Sequence, residues 1–216
     1  IQTRRVLSEA SSGDELSAIA LAYHGRHPRN SAGNGSLMRT GVVALPFLGH
    51  GAAAASEAVA VSNLTHADRR CADACVLWTL AVGSAIDGGT IPDIRAGLEH
   101  VPSERHDRWI AVIDEAESRE PGVFTPNGYV IKAFQAAWSS ITHSRSANDH
   151  LRSALVQAVR IGNDTDTVAA IAGTLLGAAY GASRIPNEWV TELHGWPGYD
   201  TGDLRRVARS AAGVSS

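Results

Sequence analysis

The stretch IGNDTDTVAA, residues 161–170, sets Asp164 and Asp166 one residue apart, each followed by a threonine, directly before an apolar helical pattern. Two carboxylates and the Thr167 hydroxyl held within a few ångströms of one another are hard oxygen ligands, a set that suits Mg²⁺ or Mn²⁺ rather than zinc. Like charges this close call for a cation. Spacing alone leaves a second reading open: one aspartate caps the helix beginning near Thr167 and the other is solvated.

A different use of Asp-x-Asp, the phosphoryl-accepting nucleophile of haloacid dehalogenase phosphatases, needs an apolar strand immediately upstream. The preceding HLRSALVQAVRIG is patterned as an amphipathic helix, which argues against it. A second chemically suggestive loop is NSAGNGSLMRTG, residues 30–41, where small residues surround Asn34 and a helical run begins near Ser36. Backbone N–H groups at such a helix start can cradle a phosphate, although an ordinary glycine-rich turn has the same composition. It is not a Walker loop, because no Gly-Lys-Ser or Gly-Lys-Thr follows. His66, in SNLTHADRR, stands at the break between two helical patterns, where a side chain can point into a cleft.

The elements that must position these loops are helices throughout. Apolar residues recur with a period near 3.6 in nearly every segment and almost never alternate. Leu16, Ile19, Ala20 and Tyr23 make one stripe, and Cys71, Cys75, Trp78, Val82 and Ile86 make a longer one closed by Gly88 and Gly89. Trp109 to Ala116, Val130 to Ile141 and Leu151 to Val159 supply three more, each behind a polar, proline or glycine stop. After Asp166, glycines at 173, 177 and 181 form a smooth strip that predicts close approach by another helix. Pro186 suits the first turn of a short helix, and GDLRRVARSAAG reads as the last one. The expectation is an all-α, compact single-domain array of about nine or ten helices over residues 1–216, with function in the loops.

Composition narrows the classes. The chain has 216 residues, 44% of them hydrophobic, enough for one sizeable core. Its 19 basic and 22 acidic residues are interspersed, so no long-range field argues for nucleic acid or an anionic membrane. The longest nearly apolar run, from Val168 to Ala182, is short of the ~20 residues a bilayer demands, and the first residues lack the apolar core of a signal peptide. Cys71 and Cys75 lie on one helical face, pointing the same way, and read as two buried thiols. A cytoplasmic location is expected.

Taken together and in this order, GNGSLMRTGVVAL, SNLTH, NGYVIKAFQAAWSSI, GNDTDTVAAIAGTLLGAAYG and WVTELHGWPG resemble the ADP-ribosylglycohydrolase family, which includes the dinitrogenase reductase-activating glycohydrolases. The resemblance spans Gly33 to Gly198, and the NDTDT helix is its most specific part. It implies an all-helical fold and a metal-dependent hydrolase that cleaves the N- or O-glycosidic bond between ADP-ribose and a protein side chain or small molecule, at a binuclear Mg²⁺ or Mn²⁺ site. By resemblance Asp164, Asp166 and Thr167 are metal ligands, the two aspartates serving catalysis as well. Ser31, Gly33, Asn34, Gly35 and Ser36 line the ADP-ribose pocket, His66 faces the same cleft, and Gly128 and Tyr129 contact substrate. The partner it implies is ADP-ribose or an ADP-ribosylated protein.

The resemblance also exposes a departure. Family members carry near their N-terminus a GDxxG-type segment and a Thr-Asp-Asp stretch that supply the other metal ligands. Neither occurs here, where the acidic residues before Asp68 are Glu9, Asp14, Glu15 and Glu57. About half of the implied ligand set is therefore present. With Ile1 rather than methionine opening the chain, the preferred expectation is a piece of a longer enzyme lacking its N-terminal part. The alternatives are completion by another polypeptide, with homo-oligomerisation as one route, or a non-catalytic member that binds ADP-ribose or serves a crystallin-like structural role.

Overall fold

The computed structural model describes residues 2–214; Ile1, on which the expectation of an upstream segment partly rests, lies outside them. Among the described residues eleven α-helices and intervening 3₁₀ turns follow one another with no strand longer than an isolated bridge. They are α1 (Gln2–Glu9), α2 (Leu16–Arg26), α3 (Leu37–Thr40), α4 (Gly51–Asn63), α5 (Arg69–Gly88), α6 (His106–Ser118), α7 (Val130–His143), α8 (His150–Arg160), α9 (Thr165–Tyr180), α10 (Asn187–Val190) and α11 (Thr201–Ala211). The expected helices are all present. The count is slightly higher because α3 and α10 are four-residue turns of helix.

The longest helix, α5, starts where the Asp68 carboxylate accepts from the Arg70 N–H and stops at Gly89, whose φ of 63° lies in the left-handed region that a side chain resists. By length and composition alone α5 could cross a bilayer, but most of that stretch is buried within the protein. It is the central strut, packed on α4, α7 and α9. Its Trp78 meets Phe134 and Trp138 of α7 edge-on, at centroid distances of 5.2 and 6.4 Å, and Trp109 of α6 meets Phe134 at 5.2 Å. These three indoles are at most 1% exposed. Burial therefore obliges each N–H to find an acceptor: Trp78 donates to the Ile171 carbonyl, Trp109 to Asp73 and Trp138 to Glu117. Stacking and hydrogen bonding thus lock α5, α6, α7 and α9 in one register.

The glycine strip of α9 does not act as its spacing predicts. A side-chain carbon at Gly173 would make ordinary contact with Leu155, one at Gly177 would meet nothing within 4 Å, and Gly181 ends the helix with a φ of 75°. Close approach occurs on another face, where a Cβ on Gly41 would stand 2.7 Å from Thr174 Cγ2. Gly41, not the strip, lets the chain after α3 lie against α9.

Candidate functional site

The site is built from three loops that secondary structure brings to one edge. The first, Asn30 to Ser36, leads into α3; the second, Asn127 to Tyr129, leads into α7; the third, Gly162 to Asp164, leads into α9. A short antiparallel bridge between Gly33 and Tyr129 joins the first two, with the Asn34 N–H donating to the Gly128 carbonyl at 3.1 Å and the Val130 N–H to the Ala32 carbonyl at 2.9 Å. Side chains then tie in the third. Asn34 Nδ2 donates to the Asn127 carbonyl at 2.9 Å and to Asp164 Oδ2 at 2.7 Å. Asn127 Oδ1 accepts from the Asp164 N–H at 2.9 Å, while its Nδ2 donates to the Gly162 carbonyl at 3.0 Å.

This junction changes the reading of Asp164. It occupies the N-cap position of α9, yet its side chain makes no capping hydrogen bond, and α9 begins at Thr165 rather than Thr167. The carboxylate is instead oriented by Asn34. Asp166, in the first turn, is exposed and makes no hydrogen bond or ion pair among the described residues. Thr167 is buried, its hydroxyl turned to Met38 Sδ at 3.6 Å, a weak bond that leaves the oxygen's lone pairs unengaged. Two carboxylates and a hydroxyl on one helical turn have the right chemistry for a hard divalent cation. The set is short in number: among the described residues no group of three or more His, Cys, Asp or Glu side chains gathers as a metal site.

Behind the glycine loop the packing is polar and tight. Ser31 and Ser36 are fully buried, and the Ser31 hydroxyl pairs with His24 Nδ1 at 2.6 Å. His66 is 2% exposed, so it stands behind the loop rather than in an open cleft. A Cβ added at Gly33 would stand 3.3 Å from its ring, and one at Gly35 3.0 Å from Thr3 Oγ1 and 3.3 Å from the same ring, so a side chain at either position would have to push a neighbour aside. The Thr65 hydroxyl pairs with His66 Nδ1 at 2.7 Å. Burial, reinforced by the nearby Arg39 guanidinium, pushes the His66 pKa down to about 4, leaving the imidazole neutral at physiological pH.

Arg39 itself bonds only neutral acceptors: the Gly35 carbonyl at 2.8 Å, the Val61 carbonyl at 3.2 Å and Thr65 Oγ1 at 2.7 Å. The Cys71 thiol donates to the Gly33 carbonyl at 3.4 Å, and burial raises both the Cys71 and Cys75 pKa values, so neither thiol is activated. Gly128 is exposed, and the Tyr129 hydroxyl accepts from Arg70 at 3.2 Å.

Sequence reasoning selected the glycine loop, the acidic pair, Gly128 and Tyr129. It passed over Asn127, which joins all three loops, and Arg39, which braces one. An asparagine before a glycine reads by default as a turn residue, so nothing in TPNGYV sets Asn127 apart.

Among the described residues the fold is wholly helical, and its candidate site sets two carboxylates and a hydroxyl beside a glycine-rich loop. A sequence model of the ADP-ribosylglycohydrolase family matches residues 1–215, and the chain belongs to that family. It is similar to the ADP-ribosylarginine hydrolase Tri1 of Pseudomonas putida, 30% identical over 80% of this chain and 45% of that protein. It is also similar to the ADP-ribosyl-[dinitrogen reductase] glycohydrolase of Rhodospirillum rubrum, 29% identical over 77% of this chain and 52% of that protein. Human ADP-ribosylhydrolase ARH3 is 25% identical over 78% of this chain and 55% of its own length. The chain thus spans about half the length of the curated relatives it matches.

Proposed function

We propose that this chain forms the ADP-ribose-holding part of a metal-dependent hydrolase that releases ADP-ribose from an N- or O-linked protein side chain or small molecule. The observation that carries the reading is the Asn34–Asn127–Asp164 junction, which fixes a carboxylate at the edge of the glycine loop. The relatives' names, each an ADP-ribosyl hydrolase, point the same way.

In this reading the Gly33–Ser36 segment receives the diphosphate. The Asn34 N–H is taken by Gly128, whereas the N–H of the half-buried Gly35 makes no hydrogen bond among the described residues and is left for a ligand. The neutral His66 and the Arg39 brace hold that backbone rigid from behind, so the donor needs little reorganisation on binding. Asp164, Asp166 and Thr167 would hold Mg²⁺ or Mn²⁺, with the remaining ligands from water, substrate or other polypeptide. A bound divalent cation there supplies polarisation of the ribose hydroxyls and acidification of a water. Asn34 keeps the Asp164 carboxylate aimed, and an Asp166 oxygen not taken by the cation would accept the proton of a water that adds to the anomeric carbon through an oxocarbenium-like centre, while the bonding pair of the broken glycosidic bond leaves with the departing nitrogen or oxygen.

Because no cluster of three acidic or metal-binding side chains forms among the described residues, a second reading is kept: the chain by itself binds ADP-ribose without hydrolysing it. Calorimetric titration of ADP-ribose with Mg²⁺ and again with EDTA tests the metal, and hydrolysis of an ADP-ribosylated protein tests the chemistry. Mg²⁺-dependent binding is expected. Asp164→Asn and Asp166→Asn are each expected to lower any hydrolysis by about a hundredfold or more. Unchanged hydrolysis in both variants at saturating metal would overturn the site assignment, and Mg²⁺-dependent binding without hydrolysis would establish the second reading.

A further inference from the structure

A cleft of about 460 Å³ lies between the end of α2, the start of α5 and the turn into α6, away from the acidic pair. Four arginines line it, and they fall into two kinds. Arg70 grips Asp68 through Nε at 2.8 Å and a terminal nitrogen at 2.5 Å, and Arg105 grips Asp73 in the same two-pronged way at 2.8 and 2.9 Å. Both aspartates are nearly fully buried. Burial works to raise the Asp68 carboxyl pKa, but the bonds from Arg70 outweigh it and hold the pKa below the usual range, so the pair stays ionised and internally neutralised.

Arg69 and Arg108 are the other kind. Both are exposed, they come from different helices, and neither makes an ion pair or hydrogen bond among the described residues. The one remaining carboxylate, Glu104, is on the exposed rim and leans on Arg105 at 3.3 Å. His24, also in the wall, pairs with Ser31 at 2.6 Å and stands 3.8 Å from Asp68 Oδ2. Four guanidinium groups against three carboxylates leave the cleft with an excess of positive charge. Two unpaired cations facing one concavity repel each other until an anion enters between them.

We infer that this cleft binds a phosphate-type dianion, clamped by Arg69 and Arg108. Guanidinium forks match phosphate oxygens two at a time, which a rigid wall of neutralised Arg–Asp pairs favours by holding the cavity's shape. A concavity of this size suits a compact small molecule rather than an extended acidic peptide. The wall also adjoins the glycine loop, since Arg70 donates to Tyr129 and His24 pairs with Ser31. The phosphate can therefore be free, or carried by a nucleotide whose remainder runs toward that loop.

The test is titration of the chain with inorganic phosphate in one arm and adenosine monophosphate in the other, at constant ionic strength and in EDTA, so that a failed metal site does not enter. Arginine Nε–H signals in NMR give the readout. Saturable shifts of Arg69 and Arg108 are expected in both arms, tighter for the nucleotide if that is the source and equal if free phosphate is. Affinity should fall at least about tenfold in Arg69→Gln/Arg108→Gln, and less in Arg69→Lys/Arg108→Lys, which keeps charge but loses the fork. Both pairs of substitutions are at exposed positions, and circular dichroism checks the fold. No saturable shift, equal affinity in the glutamine variant, or binding of a glutamate-rich peptide without binding of phosphate would overturn the inference.

Discussion

Replacing Asn127 by alanine isolates the junction on which the proposed site rests. The side chain is fully buried and makes two hydrogen bonds that alanine cannot: its Oδ1 accepts from the Asp164 N–H at 2.9 Å and its Nδ2 donates to the Gly162 carbonyl at 3.0 Å. The bond from Asn34 to the Asn127 carbonyl survives, because that acceptor is backbone. Each lost bond is worth about 0.5–1.5 kcal/mol net, and a stranded buried partner adds to that, so the expected loss of stability is about 2–3 kcal/mol. Relaxation is restricted, since Gly162 and Asn163 already sit at φ of 83° and 64°, in the left-handed region. Urea unfolding measures the loss directly, and a melting temperature lower by about 5–10 °C should accompany it. The same substitution frees the Asp164 backbone, so Mg²⁺-dependent ADP-ribose binding should weaken at temperatures where the variant is fully folded. A stability loss below about 0.5 kcal/mol would show that the two bonds are replaced by water, and the junction would then not be what fixes Asp164.

Two further outcomes follow from the packing. His66 has a folded-state pKa of about 4, below the ~6.5 of an unfolded histidine, because burial first and Arg39 second disfavour its charged form. Its contribution is therefore fully present above pH ~6.5 and is lost as pH falls from there toward 4, about 3 kcal/mol in all. Urea midpoints between pH 7 and 4 should fall accordingly, and the fall should be shallower in His66→Gln; an equal slope in the two chains would count against the assignment. Gly41→Ala places a carbon 2.7 Å from Thr174 Cγ2 and should destabilise by about 1–3 kcal/mol. Thr174→Ser removes that methyl, so the double variant should recover most of the loss; simple additivity of the two would refute the proposed contact.

What could be read from the sequence divides along the range of the interactions. Helix positions were legible because they are set locally, by stripes such as Trp78 to Ile86 and stops such as Gly89, and each stripe lies within a helix of the structure. The acidic pair and the glycine loop were legible because each is a short contiguous motif. Local spacing was misleading wherever a partner decides the outcome. The strip at Gly173 and Gly177 looked built for close packing, yet the nearest approach belongs to Gly41, which no periodicity marks. His66 looked poised for a cleft, and only the path of the glycine loop across its ring shows it to be a neutral spacer.

Two kinds of polar residue meet at the site. Asn34, Asn127 and Arg39 direct bonds inward, to other loops or to the loop backbone, and the buried His66 pairs with the Thr65 hydroxyl. The Asp166 carboxylate is left exposed, with no hydrogen bond or ion pair among the described residues. The fold makes no use of the Asp166 side chain, so substituting it should change ligand binding with little effect on stability, whereas substituting the inward set should change both. That contrast is what sets a built site apart from a polar turn of the same composition. It makes Asp166→Asn, which leaves every described hydrogen bond intact, the cleanest probe of whether the NDTDT loop exists to hold a ligand.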